Sequence, residues 1–347
     1  MNPSIHFDGT RWRCLLRCTD YAMPDGVVIR SRRAQPGESR TRNALAIFDP
    51  KSWKPLEIYK VHERDNFPRA PCESLGFEDV RLFTTDKGGL QGIAASLHLR
   101  RESEGGSSRN QIPEQVVLSF DENYDIVSAR PIRGVWSAGP QKNWVPFDRC
   151  VEPRFLYSIG RGTLFDDHGE GVGGARPATG ESRRPLGAPS GATRDRALSR
   201  ARTAEEARSL EESRGLRGQG RRQKGFASLA HEARDVNVGS TPLFDVLRGG
   251  TQLCRVEDDA WLGVGHEMRL VKKRKYYWHV WYLVDGRGKM KAASPPMKLA
   301  QNGIEFAAGL AIDGNRVVVS FGVDDMECRL GETRLSEVRA MLRPTER

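Results

Sequence analysis

The chain is short of apolar residues. Only 38% of its 347 residues are hydrophobic. That is low for a compact domain of this length, so part of the chain is expected to stay outside any core. No apolar run approaches the ~20 residues that span a bilayer, and the opening M-N-P-S-I-H-F-D does not read as a signal peptide. No membrane partner and a cytoplasmic location are therefore expected. The six cysteines (Cys14, Cys18, Cys72, Cys150, Cys254 and Cys328) are scattered. Only the first two are near one another, and no second pair completes a zinc pattern, so free thiols in a reducing compartment and no metal site are expected. Acidic excess is missing too. The net charge of +10 would suit nucleic acid or a phosphorylated substrate, but much of it comes from arginines between Arg161 and Lys224 and says little about the folded part.

Helical periodicity is almost absent. In its place stand short strand-like runs, among them Trp12 to Cys18, Asn43 to Phe48, Val80 to Thr84, Leu90 to Leu99, Gln115 to Phe120, Lys142 to Phe147, Ala260 to Met268, Tyr276 to Asp285 and Val317 to Gly322. Turn chemistry separates them: Asp8-Gly9, Pro24-Asp25-Gly26, Asp86-Lys87-Gly88-Gly89 and Asp121-Glu122-Asn123. Even spacing argues for an all-β fold. About four strands in each of roughly five units favour a single five-bladed β-propeller over a decorated sandwich. The stretch Leu335 to Leu342 reads as strand or short helix. From Gly160 to about Ala233 the sequence turns Gly-, Arg-, Ser- and Ala-rich and cannot bury enough surface to offset the cost of ordering. It is expected to be a disordered insertion in the third blade. Its arginines read as a solvated spacer, so nucleic acid is not an expected partner.

The most informative stretch is Leu75 to Phe83, L-G-F-E-D-V-R-L-F. Charges in a short apolar strand are costly unless paired or facing a cleft. Strand alternation would set Asp79 and Arg81 on one face and Glu78 on the other. Four further clusters end or begin apolar strands with polar groups: Q-K-N-W-V-P-F at Gln141, W-L-G-V-G-H-E ending in His266-Glu267, Y-Y-W-H-V-W-Y with His279, and S-F-G-V-D-D ending in Asp324-Asp325. Rings beside Asp, Glu, Asn and Arg suit a sugar, and Lys, Arg and His together suit a phosphate. Each cluster also has an ordinary structural reading as core or turn.

Taken together, N-P-S at Asn2, the L-L-R strand ending at Arg17, G-F-E-D-V-R, K-N-W-V-P-F, G-G-T followed by W-L-G-V-G-H, and Y-Y-W-H-V-W-Y resemble glycoside hydrolase family 130 and its relatives. The resemblance spans nearly the whole chain outside Gly160 to Ala233, and G-F-E-D-V-R is its most specific piece. It implies a five-bladed propeller acting on mannosides, chiefly as an inverting phosphorylase, with some hydrolases and a related group of mannosyltransferases. It implies that Glu78, Asp79 and Arg81 line the central pocket; Asn143, beside the phosphate residues, and Asp324 are further candidate substrate-binding residues. It implies that Arg17, Arg81, Lys142 and His266 hold phosphate. Two positions depart from the pattern. Val80 stands where the family has Pro, and His98 stands where its general acid, an Asp, is expected. Asp79 and His98 are thus the candidate proton carriers. The expected partner is an oligosaccharide, with inorganic phosphate as co-substrate and no other cofactor. A transferase or hydrolase using the same pocket, and a glycan-binding propeller without turnover, remain the alternatives.

Overall fold

The structure, a computed structural model, describes residues 2–22, 29–30, 39–63, 74–97, 114–132, 143–159, 163–172, 247–271, 274–300 and 304–345. Five small antiparallel sheets stand in a ring as a five-bladed β-propeller. Blade 1 is built from Pro3–Phe7, Trp12–Thr19, Ser39–Phe48 and Pro55–Lys60. Blade 2 is Glu78–Thr84, Leu90–Ser96, Glu114–Phe120 and Ile126–Pro131. Blade 3 is Val145–Pro146, Arg154–Ser158 and Thr163–Asp166. Blade 4 is Cys254–Glu257, Ala260–Val271, Arg274–Val284 and Met290–Ala293, and the late strand Arg343–Pro344 is added to its edge. Blade 5 is Glu305–Asp313, Arg316–Val323 and Glu327–Arg334. The stretch left open between strand and helix is a helix, Leu335–Met341, whose Val338 packs into the core between blades 4 and 5.

Strand alternation explains the ring. Along Glu78–Thr84, Leu82 joins a cluster with Leu15, Leu45 and Ile47 of blade 1, while the next residue, Phe83, joins Trp144, Phe155 and Phe165 of blade 3. Along Glu114–Phe120, Val116 and Leu118 face blade 1 and Val117 faces blade 3. Successive residues point to opposite faces of a strand, so each blade supplies half of two cores. Five apolar clusters result, one at each junction between neighbouring blades. The last of them closes the ring, with Ile5, Trp12 and Cys14 of blade 1 against Ala311 and Val318 of blade 5.

Side-chain hydrogen bonds fasten the innermost strands. Ser320 Oγ donates to Pro3 O at 2.7 Å and accepts from Ile5 N at 2.9 Å. Ser4 Oγ accepts from Leu82 N, and Gln252 Nε2 donates to both Ile5 O and Leu310 O. All of these groups are buried, so removing one partner strands a donor or acceptor without water. Ser320→Ala is expected to cost about 2 kcal/mol, because one substitution orphans two backbone groups at the closing junction. Urea unfolding checks it, and an unchanged midpoint would show that closure rests on the apolar cluster alone.

One expectation changes. The insertion does not begin at Gly160: Thr163–Asp166 pairs with Arg154–Ser158, its Leu164 and Phe165 are buried, and a turn at Asp166–Gly169 follows. Four residues with two adjacent apolar side chains are enough for an edge strand but too few to stand out from their Gly- and Arg-rich surroundings. Residues 173–246 lie outside the described residues, and with them the rest of the insertion. Among the described residues no helix is long and apolar enough to cross a membrane.

Candidate active site

Every blade sends a polar or aromatic side chain to one end of the ring. The centre of the group is Arg17, near the end of its strand in blade 1 and 4% exposed. Its guanidinium donates to Asp79 Oδ1 at 2.7 Å and to Tyr21 OH at 2.8 Å, and lies 3.4 Å from Glu78 Oε1. Burial opposes its charge, yet Asp79 and then Glu78 raise its pKa above the ordinary arginine value. Asn2 Nδ2 donates to the same Asp79 oxygen at 2.7 Å. An oxygen that accepts two such bonds, one from a cation, belongs to an ionised carboxylate.

Both acids of G-F-E-D-V-R therefore reach the same arginine. The expected alternation, which sets Glu78 and Asp79 on opposite faces, fails. The register shifts between Glu78 and Arg81, and Asp79 has φ of 50°. A left-handed residue turns the chain within the strand and brings two neighbouring side chains to one side. Asp79 is not alone. Asn143, Asp324 and Asp325, at 66°, 52° and 52°, share the left-handed region, so four of the seven described non-glycine residues with positive φ are candidate site residues. Asn and Asp adopt this region more readily than other side chains but still at a cost, and such strain collects where function fixes geometry.

Arg81 lies deeper, at 1% exposure. Its Nε donates to Gly250 O, its Nη1 to Asp79 O at 3.3 Å and its Nη2 to Asn143 Oδ1 at 3.0 Å, and the guanidinium sits 5.4 Å from the centre of the Phe306 ring. Burial pulls its pKa down to about 10, which leaves it charged at neutral pH. The G-G-T segment makes this close packing possible: a side chain at Gly249 would put its Cβ 2.1 Å from Asn143 O.

His266 stands in blade 4, 2% exposed, with its ring 5.0 Å from Tyr277 and 5.3 Å from Phe306. Burial, followed by His279, Arg248 and Arg81, pushes its pKa well below the ordinary histidine value. His266 is biased toward the neutral imidazole, because burial, His279 and two guanidiniums all oppose a positive charge there.

Asp324 occupies the turn after Arg316–Val323, its backbone N–H donating to Ile304 O. The neighbouring Asp325 is coupled electrostatically to Arg17, Tyr21 and Tyr277. Burial raises the Asp325 pKa and Asp79 and Glu78 raise it further, against the pull of Arg17. Tyr21 is pushed up to about 12, chiefly by burial.

The structure thus gathers Arg17, Glu78, Asp79, Arg81, Asn143 and His266 from four blades, and places the Asp324-Asp325 turn of the fifth beside them. His98 and Lys142 lie outside the described residues. Tyr21, Arg248 and Phe306 join the site without having been read from sequence. Arg248 directly precedes G-G-T, a signal masked by the arginine-rich tract before it. Trp144, by contrast, is core, packed in tilted and edge-on contacts with Phe155, Tyr157 and Phe165. The arrangement offers ionised carboxylates, one carboxyl biased toward its protonated form, guanidiniums and aromatic faces around one channel mouth.

No family model matches the sequence, and no curated protein is similar to it in sequence. Solved structures do match in fold. A glycosyl hydrolase from Bacteroides ovatus aligns with a TM-score of 0.54 at 11% identity, over 99% of this chain and 85% of its own. A second match, with a TM-score of 0.54 at 10% identity over 96% of this chain and 84% of its own, comes from work on glycoside hydrolase family 130. That work describes a family of mannoside phosphorylases containing glycoside hydrolases that target β-1,2-mannosidic linkages in Candida mannan. The class defined here is therefore a five-bladed propeller with a polar channel mouth. In fold, the particular propellers it resembles include those of glycoside hydrolase family 130.

Proposed function

We propose that the protein is a carbohydrate-active enzyme that cleaves or forms a glycosidic bond at this channel mouth, acting on mannoside-type glycans with phosphate as co-substrate. The observation that carries the reading is the pairing of differently tuned carboxyls. Asp79 accepts from Arg17 and Asn2 and stays ionised, while burial and two neighbouring acids favour the neutral form of Asp325. A carboxylate held ionised by a cation, beside a carboxyl whose pKa is raised, makes a base and an acid available at one pH. In an inverting reaction one carboxyl protonates the leaving oxygen while the incoming oxygen attacks from the other face. Asp325 serves as the proton donor, and Glu78 and Asp79 hold the sugar hydroxyls and the positive charge that develops on the ring. Tyr277 and Phe306 offer faces for the ring. Arg81 and Arg248, both close enough to depress His266, form a cationic side for phosphate.

Hydrolysis is the second reading, because Arg17 already faces two carboxylates and His266 is neutral, which leaves fewer cations for a phosphate dianion. Product analysis of β-mannosides with and without phosphate separates the two. Sugar 1-phosphate formed only with phosphate supports phosphorolysis; free sugar at the same rate in both supports hydrolysis. Binding of the panel with no turnover would leave a glycan-binding propeller.

The proton-donor role gives a pH prediction. Asp325 acts only while protonated, so kcat/KM is expected to fall as pH rises through its raised pKa. Asp325→Asn keeps a residue suited to positive φ, and is expected to lose about 10²–10⁴-fold in turnover together with that alkaline limb. A variant that keeps the limb would assign it to another group.

A further inference from the structure

On the same end of the ring, one strand further from the axis at each step, a second hollow opens beside the Arg17 cluster. Arg17 pairs with Asn43 on the next strand, and Val61 N donates to Asn43 O beyond it. Around these residues lies a cavity of about 240 Å³ lined by Arg40, Arg42, Lys60, His62, Glu63 and Gly76, with Thr41 and Asn43. Among the described residues the lining carries three permanent cations, a histidine and one carboxylate, with Asp125 accepting from His62 N nearby; Arg40 and Glu63 have partners of their own. Among the described residues, neither the Arg42 guanidinium nor the Lys60 ammonium has an ion-pair or hydrogen-bond partner. The volume is below the roughly 300 Å³ at which pockets begin to enclose a drug-sized ligand, so it suits one charged unit rather than a chain.

Two details set the hollow against the Arg17 site. Asn43 is 5% exposed and donates its Nδ2 to Phe77 O at 3.2 Å, which fixes the amide orientation; its Oδ1 is buried with no donor. Asn43 thus forms a fixed wall between the hollow and Arg17, its partner on the neighbouring strand. Gly76 has φ of 98°, and a Cβ there would lie 2.2 Å from Thr41 O, so the wall is closed by backbone against backbone. From Gly76 the chain runs straight to Glu78 and Asp79. The three residues span at most about 10 Å, a length an oligosaccharide bridges.

We propose that this basic hollow is an outer subsite that takes the carboxylate or phosphate of an acidic saccharide unit, while the neighbouring sugar occupies the Arg17–Glu78–Asp79 site. The proposal rests on the reading of the channel mouth as carbohydrate-active, and it makes the preferred substrate an anionic glycan. The positive field of the hollow concentrates such substrates at the mouth and weakens with salt.

The test compares wild type with the double variant Arg42→Gln, Lys60→Gln on neutral β-mannosides and on the same compounds carrying a phosphate or a uronic acid. Wild type is expected to prefer the acidic substrates by about tenfold or more in kcat/KM, as charge-assisted hydrogen bonds allow. The variant is expected to lose that preference and to keep its rate on neutral substrates within about twofold, since neither residue touches the reacting sugar. Equal rates for acidic and neutral substrates in wild type, or a preference that survives in the variant, overturn the proposal. Direct titration with mannose, mannose 6-phosphate and inorganic phosphate separates its failure from that of the enzyme reading. Mannose 6-phosphate binding that is lost in the variant, in a protein that turns over no glycoside, sinks the enzyme alone. Turnover of neutral mannosides, with mannose 6-phosphate bound no more tightly than mannose, sinks the subsite alone. Inorganic phosphate bound as tightly as mannose 6-phosphate would make the hollow a free-anion site and overturn the saccharide assignment.

Discussion

Asp79→Asn is expected to reduce turnover by about 10²–10⁴-fold while leaving the fold intact. The substitution is nearly isosteric. Asparagine tolerates the φ of 50° that residue 79 requires, and its side-chain oxygen still accepts from Asn2 Nδ2 and Arg17 Nη1. What disappears is the charge. Arg17 then keeps Glu78 and the more distant Asp325, and the negative field that Asp79 casts on Arg81, His266 and Asp325 is gone. A second effect follows with a definite sign. Asp79 raises the Asp325 pKa, so its removal lowers that pKa and moves the alkaline limb of kcat/KM to lower pH. Asp79→Ala behaves differently, because alanine at positive φ costs about 1–2 kcal/mol in addition to the lost chemistry. Comparing melting temperatures with rates for the two variants separates charge from conformation. An asparagine variant with activity close to wild type would remove Asp79 from the mechanism.

How much of this was legible depends on which physical rule governs each residue. The blade pattern was visible because turn residues punctuate it and because strand interiors alternate between two cores, as Leu82 and Phe83 do. G-F-E-D-V-R marked the site because two carboxylates and a guanidinium in an apolar run must either pair or face a cleft. Its detailed geometry was not visible. Nothing in the sequence distinguishes an Asp in a regular strand from one at φ 50°, so the side-by-side reach of Glu78 and Asp79 to Arg17 emerges only in three dimensions. The charge state of His266 was likewise hidden, since it depends on burial, on His279 across the same blade, on Arg248 bridged to it and on Arg81 brought in from blade 2. Arg248 itself was lost in the company of arginines that read as solvent-facing. Asp325 was named only as half of a turn. Its raised pKa comes chiefly from burial, with Asp79 and Glu78 adding to it and Arg17 opposing, an environment that a D-D turn in sequence does not reveal.

Arg81→Met is expected to destabilise the protein by about 2–4 kcal/mol and to abolish turnover. Two effects compete. Removing a buried cation relieves its desolvation, which is large enough to pull the arginine down to about 10. Replacing buried ion pairs with apolar residues is often neutral for that reason. Here, however, the groups that Arg81 satisfies are Gly250 O, Asp79 O and Asn143 Oδ1, which remain in place after the substitution. Each buried acceptor left without a donor costs about 1–3 kcal/mol, and three of them outweigh the relief. Arg81→Lys does not restore the loss. A single ammonium cannot reproduce a planar fork whose three nitrogens reach residues of blades 2, 3 and 4 and whose face lies over Phe306 of blade 5. Because Asp79 and Asn143 hold left-handed conformations beside this fork, its removal also frees the backbone that aims the carboxylates, so activity falls along with stability. Urea titration of both variants, paired with a rate assay, gives the result. A methionine variant with an unchanged midpoint would mean that water replaces the guanidinium, and that the positive-φ residues are held by the blades themselves.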